Sequence, residues 1–149
     1  MKVILFLIAL LGLILCDDQF TRFTYHNGDE ILRKLQEIDD KTYVLFVYND
    51  PGNNRDLRTT NDYFRDRLRT EILAPEDGTK TGYIYAEVDA TDMYGNGYLV
   101  DRLNIDKDSL NEKPTIVVMK NGQGNVIRGP TALHSVATSL QALEKGEAE

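Results

Sequence analysis

The chain alternates between stretches patterned every two residues and stretches patterned every three or four. Phe20 to Tyr25 switches between apolar and polar positions, which predicts a strand at a sheet edge. Ile31, Leu32, Leu35 and Ile38 then recur at helical spacing, behind an Asn27 able to cap a helix and a Glu30 placed to close a capping box. Thr42 to Tyr48 is apolar or aromatic almost throughout, the mark of a central strand covered on both faces. Leu57, Phe64, Leu68 and Ile72 return to helical spacing, and Ala74-Pro75-Glu76-Asp77-Gly78 stops that helix. Tyr83 to Ala90 predicts a third strand. Asp92 opens a third helix through Leu99 and Leu103, weakened at Gly95-Asn96-Gly97 because each internal glycine costs up to about 1 kcal/mol relative to alanine. Thr115 to Met119 predicts a fourth strand, Asn121-Gly122-Gln123-Gly124 a hairpin turn, and Val126-Ile127 the start of the return strand. Leu133, Val136, Ala137, Leu140 and Leu143 line one face of a last helix. The order β-α-β-α-β-α-β-β-α is that of a single α/β domain, with no internal repeat or low-complexity tract.

Residues 1–16, MKVILFLIALLGLILC, stand outside this alternation. Lys2 precedes an unbroken apolar run of 13 residues, Val3 to Leu15, and Asp17-Asp18 ends it. At about 1.5 Å per residue such a run spans roughly 20 Å as a helix, short of the ~30 Å hydrocarbon core. The expectation is a secretory signal peptide cleaved after Cys16, with a single domain over residues 17–149. The alternative is an uncleaved anchor that tilts or thins the bilayer. A lipoprotein signal is disfavoured, because Leu15 is bulky for the residue before a lipidated cysteine. The implied location is the secretory pathway, the endoplasmic reticulum lumen or the extracellular space. The terminal Gly146-Glu147-Ala148-Glu149 is not a retention tail, so retention would need a partner or the anchor.

Charge narrows the partners. Removing residues 1–16 takes away Lys2 and no carboxylate, leaving 16 basic and 24 acidic side chains and a net charge of −8. Such a surface repels nucleic acid and anionic membranes, so a protein or an extended peptide is the expected partner, and a membrane only if residues 1–16 are retained. Cys16 is the only cysteine. A mature chain without it has no disulfide and no cysteine-based metal site, and no Asn-x-Ser/Thr sequon is present for N-glycosylation. His26 and His134 lack metal-ligand spacing, and no cofactor or metal is expected.

The element order resembles the thioredoxin fold, and more closely a domain of the protein disulfide isomerase type. The residues that carry it are Tyr43 to Tyr48, Tyr85 to Thr91, Asp101 to Ile105, Arg128-Gly129 and above all Lys113-Pro114-Thr115-Ile116-Val117-Val118-Met119-Lys120-Asn121-Gly122. The resemblance covers roughly residues 20 to 145. It implies a central mixed sheet of about five strands flanked by four helices. Active members carry Cys-x-x-Cys in the turn after the central strand, where the helix N-terminus lowers the first thiol's pKa and a second thiol resolves the mixed disulfide. The matching stretch here is Asp50-Pro51-Gly52-Asn53-Asn54, without sulfur, serine or threonine. Dithiol exchange is therefore excluded, and Asp50-Pro51-Gly52 reads as a tight turn and cap.

Pro114 matches the family's cis-proline, so the resemblance implies a cis Lys113–Pro114 bond opposite the turn. Asp50, Pro51, Gly52, Asn53, Lys113 and Pro114 then become candidates for a groove that holds an extended peptide by β-pairing. Eight residues separate Ile105 from Pro114, where the family has about three, so Asp106 to Glu112 reads as an inserted, solvated loop. Its acidic composition lacks EF-hand spacing. Two readings lead: a non-catalytic interaction or structural module acting as an accessory subunit, and a chaperone-like peptide binder at Pro114. A membrane-anchored subunit of a larger complex is the third, and an enzyme of other chemistry the most remote.

Overall fold

In the computed structural model, residues 19–74 and 76–146 are described. The signal-peptide and anchor expectations for residues 1–16 fall outside them. Five strands form one sheet in the order β1-β3-β2-β4-β5, with β1 at Thr21–Arg22, β2 at Thr42–Tyr48, β3 at Ile84–Asp89, β4 at Thr115–Lys120 and β5 at Gln123–Ile127. β1, β3 and β2 run parallel, while β4 and β5 are antiparallel to their neighbours. Helices α1 (Gly28–Gln36), α2 (Arg55–Arg67), α3 (Met93–Arg102) and α4 (Ala132–Lys145) connect them.

The period of two along β2 splits the interior into two cores. Val44 and Phe46 pack with Phe64, Leu68, Val136 and Leu140, so α2 and α4 cover one face. Tyr43, Leu45 and Val47 pack with Ile31, Leu35, Leu99 and Val100, so α1 and α3 cover the other. Because β2 is screened from water on both sides, it is apolar or aromatic from Tyr43 to Val47, with one buried polar residue, Thr42, at its start. All four helices begin at the sheet end where β2, β3 and β5 finish. In α/β sheets that end is where loops and sites gather.

Four local expectations change. β1 is two residues long rather than six, because the chain leaves β3 after the Phe23 N–H···Tyr85 O bond (2.8 Å). From there the Tyr25 hydroxyl, not a backbone donor, reaches the Glu87 carbonyl at 2.6 Å. Ile38 lies beyond the end of α1 and is 85% exposed, so the apolar stripe closes at Leu35. The glycines do not break α3. Asp92 caps it through Oδ1 to the Gly95 N–H (3.0 Å), and a side chain at position 95 would collide with that carboxylate. Finally, the Asp106–Glu112 insertion is not a free loop: a short 3₁₀ turn, Ser109–Asn111, drives Leu110 fully into the second core.

After α2 the chain widens into a π-turn over Leu68–Ile72, with the Leu73 N–H bonded to Leu68 O at 2.9 Å. Leu68 and Leu73 are both fully buried. Five residues apart, they would diverge on an α-helix, and the wider turn brings both to the core.

Candidate functional site

The turn after β2 is held by its own polar atoms. The Gly52 N–H donates to Asp50 Oδ1 (3.1 Å), which makes an Asx turn, and the Asn54 N–H donates to Pro51 O (2.8 Å). Arg58 reaches back from α2 to Gly52 O at 2.5 Å. Asn54, not Asp50, caps α2, accepting from the Leu57 N–H at 3.1 Å. Beneath it Asn61, 1% exposed, donates through Nδ2 to Asn49 O at 3.1 Å. Asn49 in turn donates its own amide to Asn111 Oδ1 at 2.9 Å, tying the turn to the inserted loop.

The register of β2 with β4 pairs Val47 with Thr115, so the turn and Lys113–Pro114 do meet at the same sheet end. The expected groove between them does not take its family form. No peptide bond among the described residues is cis, so the cis Lys113–Pro114 bond implied by the resemblance is corrected to trans, the isomer an X-Pro bond favours by about 0.5–1 kcal/mol on its own. The Lys113 N–H, which a peptide strand would need, donates to Ser109 O at 3.0 Å. Lys113 and Pro114 instead line a cavity of about 180 Å³ with Ser109, Glu112, Arg128 and Gly129, a set that includes none of Asp50 to Asn53. The six candidate residues thus fall into two places, a self-bonded turn and a notch facing β5.

Beside the turn lies a polar cluster that sequence reading missed. Arg65 of α2 sits over the rings of Phe46 (5.0 Å) and Tyr48 (5.1 Å). Its Nη1 bonds Asp62 at 2.8 Å, and its Nε approaches Glu87 Oε1 at 3.2 Å as an ion pair rather than an aligned hydrogen bond. The Tyr85 hydroxyl donates to the same Glu87 oxygen at 2.8 Å. Burial, reinforced by Glu87, holds the Tyr85 phenol far above its ordinary pKa. Tyr25 is pushed up to about 12, chiefly by burial and then by Tyr48. These groups are neutral phenols and compensated charges, with no activated nucleophile among them. A faint signal was there: Asn61 and Arg65 are polar residues in a stretch whose Leu57, Phe64 and Leu68 face the core.

Among the described residues no cluster of three or more histidine, cysteine or acidic side chains is arranged to hold a metal ion, and no helix is long and apolar enough to cross a membrane. No family model matches the sequence, and no curated protein does. Solved structures do match. Thioredoxin from Schistosoma mansoni aligns at a TM-score of 0.51 and 15% identity, over 82% of this chain and 94% of that one. Trxlp from Edwardsiella tarda aligns at 0.50 and 12% identity, over 80% of this chain and 95% of that one. The fold is thioredoxin-like. At such identities the likeness extends to the fold alone. Within that thioredoxin-like frame, the turn between β2 and α2 contains no sulfur, with Pro51 O accepting from the Asn54 N–H and Asn54 capping the helix.

Proposed function

We propose that this chain is a redox-inactive thioredoxin-like domain, a non-catalytic interaction or structural module serving as an accessory subunit in the secretory pathway. One observation carries the reading: the turn that holds the reactive thiols in active members is sulfur-free, and its polar atoms are spent on one another. Asp50 closes the turn, Asn54 caps α2, and Asn49, Arg58 and Asn61 fix it to α2 and the inserted loop. A thiolate nucleophile is required for disulfide exchange, and nothing in this turn supplies one.

The test is an insulin-reduction or scrambled-ribonuclease assay with the purified chain. Turnover should not exceed that of a protein-free blank, and turnover clearly above it refutes the reading. The compartment is tested separately, by the mass of the protein recovered from cells. A first residue at Asp17 supports cleavage of a signal peptide. A retained Met1 to Cys16 favours the membrane-anchored subunit.

A further inference from the structure

Three asparagines of this chain precede a glycine: Asn27-Gly28, Asn96-Gly97 and Asn121-Gly122. In such a pair the following backbone nitrogen can reach the asparagine side chain, because glycine has no Cβ to hinder it. Two of the pairs are held by helices. Asn27 caps α1, its Oδ1 accepting from the Glu30 N–H at 3.1 Å, and Gly28 is buried, with Leu99 Cβ 2.7 Å from where its own Cβ would lie. Asn96 and Gly97 are buried inside α3, where the Gly97 N–H belongs to the helical ladder and the Asn96 amide bonds Asp89 O at 2.9 Å. Asn121-Gly122 is placed differently. Both residues have positive φ, 52° and 77°, as the two-residue turn between β4 and β5 requires. Gly122 is exposed, and nothing lies within 4 Å of where its Cβ would be.

The Asn121 side chain is held by Asp40, in the link between α1 and β2. Its Oδ1 accepts from the Asp40 N–H at 2.9 Å, and its Nδ2 donates to Asp40 Oδ1 at 2.9 Å. Asp40 itself has a φ of 57°, so two left-handed residues are locked to each other. The pair straps the link to the β4–β5 hairpin across 81 residues of chain. Beside it opens a cavity of about 270 Å³, lined by Asp40, Lys120, Asn121, Gln123, Leu143 and Gly146. It has room for water against the Asn121 side chain.

We propose that Asn121 is a modification site of this chain, one that deamidates spontaneously, and that Asp40 governs both its rate and the effect of its product. The Gly122 backbone nitrogen, giving up its proton, bonds to Asn121 Cγ. The Cγ–Nδ2 bond breaks, and ammonia leaves with that proton. Water then opens the cyclic imide at either carbonyl, which leaves aspartate or isoaspartate. Ring closure requires Cγ to turn towards the Gly122 nitrogen, and the two Asp40 bonds oppose that turn, so the strap is a brake. Once the amide is gone, its donor is replaced by a carboxylate oxygen, which only accepts, and two like charges meet where a hydrogen bond stood. Lys120, the only cation lining the cavity, cannot restore an N–H between two oxygens in contact. The isoaspartate form also adds a backbone carbon to a turn built for two residues. Deamidation therefore releases the strap.

The test incubates the full chain at mildly alkaline pH and follows, by mass spectrometry of its peptides, the mass gain of amide-to-acid conversion at each of the three sites. Asn121 should convert first. Asp40→Gly keeps the positive φ and removes the carboxylate. It should speed conversion at Asn121 several-fold and leave Asn27 and Asn96 as they are in the parent. Asn121→Asp stands in for the product. It should lower the urea midpoint of the parent, and lower it less in the Asp40→Gly background, where no like charge stands opposite. Circular dichroism checks that the variants are folded, and the time course of the parent needs no variant at all. The proposal is overturned if Asn121 does not convert, or if Asn27 or Asn96 converts before it. It is equally overturned if Asp40→Gly leaves the Asn121 rate unchanged or raises all three rates alike, or if Asn121→Asp lowers the midpoint equally with and without Asp40.

Discussion

At the scale of single residues, the turn after β2 is fixed from below by one side chain, Asn61. It is buried on a helix face otherwise apolar, and its one hydrogen bond closes the end of β2 by satisfying Asn49 O. Its Oδ1 has no partner among the described residues, so the side chain is held for its donor alone. Asn61→Ala removes that donor and strands a carbonyl at the root of the turn. Unfolding in urea should show a loss of about 1–3 kcal/mol, the range for an unsatisfied buried group. Asn53→Ala, at an exposed turn position with no such role, should stay within about 0.5 kcal/mol. Equal effects at the two positions would mean that the turn is not fixed from below.

At the scale of elements, the order of strands and helices was legible in the sequence because burial dictates period. β2 and β4 could be read directly, since a strand covered on both faces is apolar through its middle, and only the ends carry polar residues, Thr42, Thr115 and Lys120. What misled was a hydrogen-bond partner that the apolar pattern does not display. Six alternating residues looked like a strand, yet only Thr21–Arg22 pairs, because the Tyr25 hydroxyl takes over the next carbonyl. The glycines of α3 looked like breakers, yet Gly95 makes room for the Asp92 cap. Pro114 looked like a family cis-proline, but the inserted loop occupies the Lys113 N–H and the bond is trans. The wiring of the turn after β2 was not legible, since Asn61 and Asn111 lie 12 and 62 residues from the Asn49 they bond. The packing of α1 on α3 offers a test at this scale. A Cβ on Gly28 would lie 2.7 Å from Leu99 Cβ, so Gly28→Ala must push the two helices apart. Despite alanine's better helix propensity, a net loss of about 1–3 kcal/mol is expected from denaturant midpoints. A stabilised variant would show that the two helices have slack.

At the scale of the whole molecule, a thioredoxin-like frame with no cysteine beyond Cys16 must hold itself by burial and by polar straps, and many of these are tyrosines. Tyr43 bonds Asp39 at 2.8 Å, Tyr83 bonds Glu144, Tyr85 bonds Glu87, and Tyr25 bonds the Glu87 carbonyl. All four phenols are raised, in each case first by burial. The consequence for stability has a definite sign. In the unfolded chain a tyrosine titrates near pH ~10, whereas Tyr25 in the fold titrates at about 12. The folded state therefore holds the proton more tightly, and the stability this contributes is complete below about pH 10 and lost as pH rises through 12. Lysine deprotonation and carboxylate repulsion also act in that range, so the parent curve alone does not isolate the effect. Tyr25→Phe does. It lacks the hydroxyl bonded to Glu87 O and should be less stable than the parent at pH 8, but it has no phenol to ionise. The gap between the two urea midpoints should shrink between pH 10 and 12, and tyrosinate absorbance in the parent should rise together with unfolding. A gap that stays constant to pH 12 would mean that the Tyr25 proton is not what ties the edge of the sheet to its neighbour.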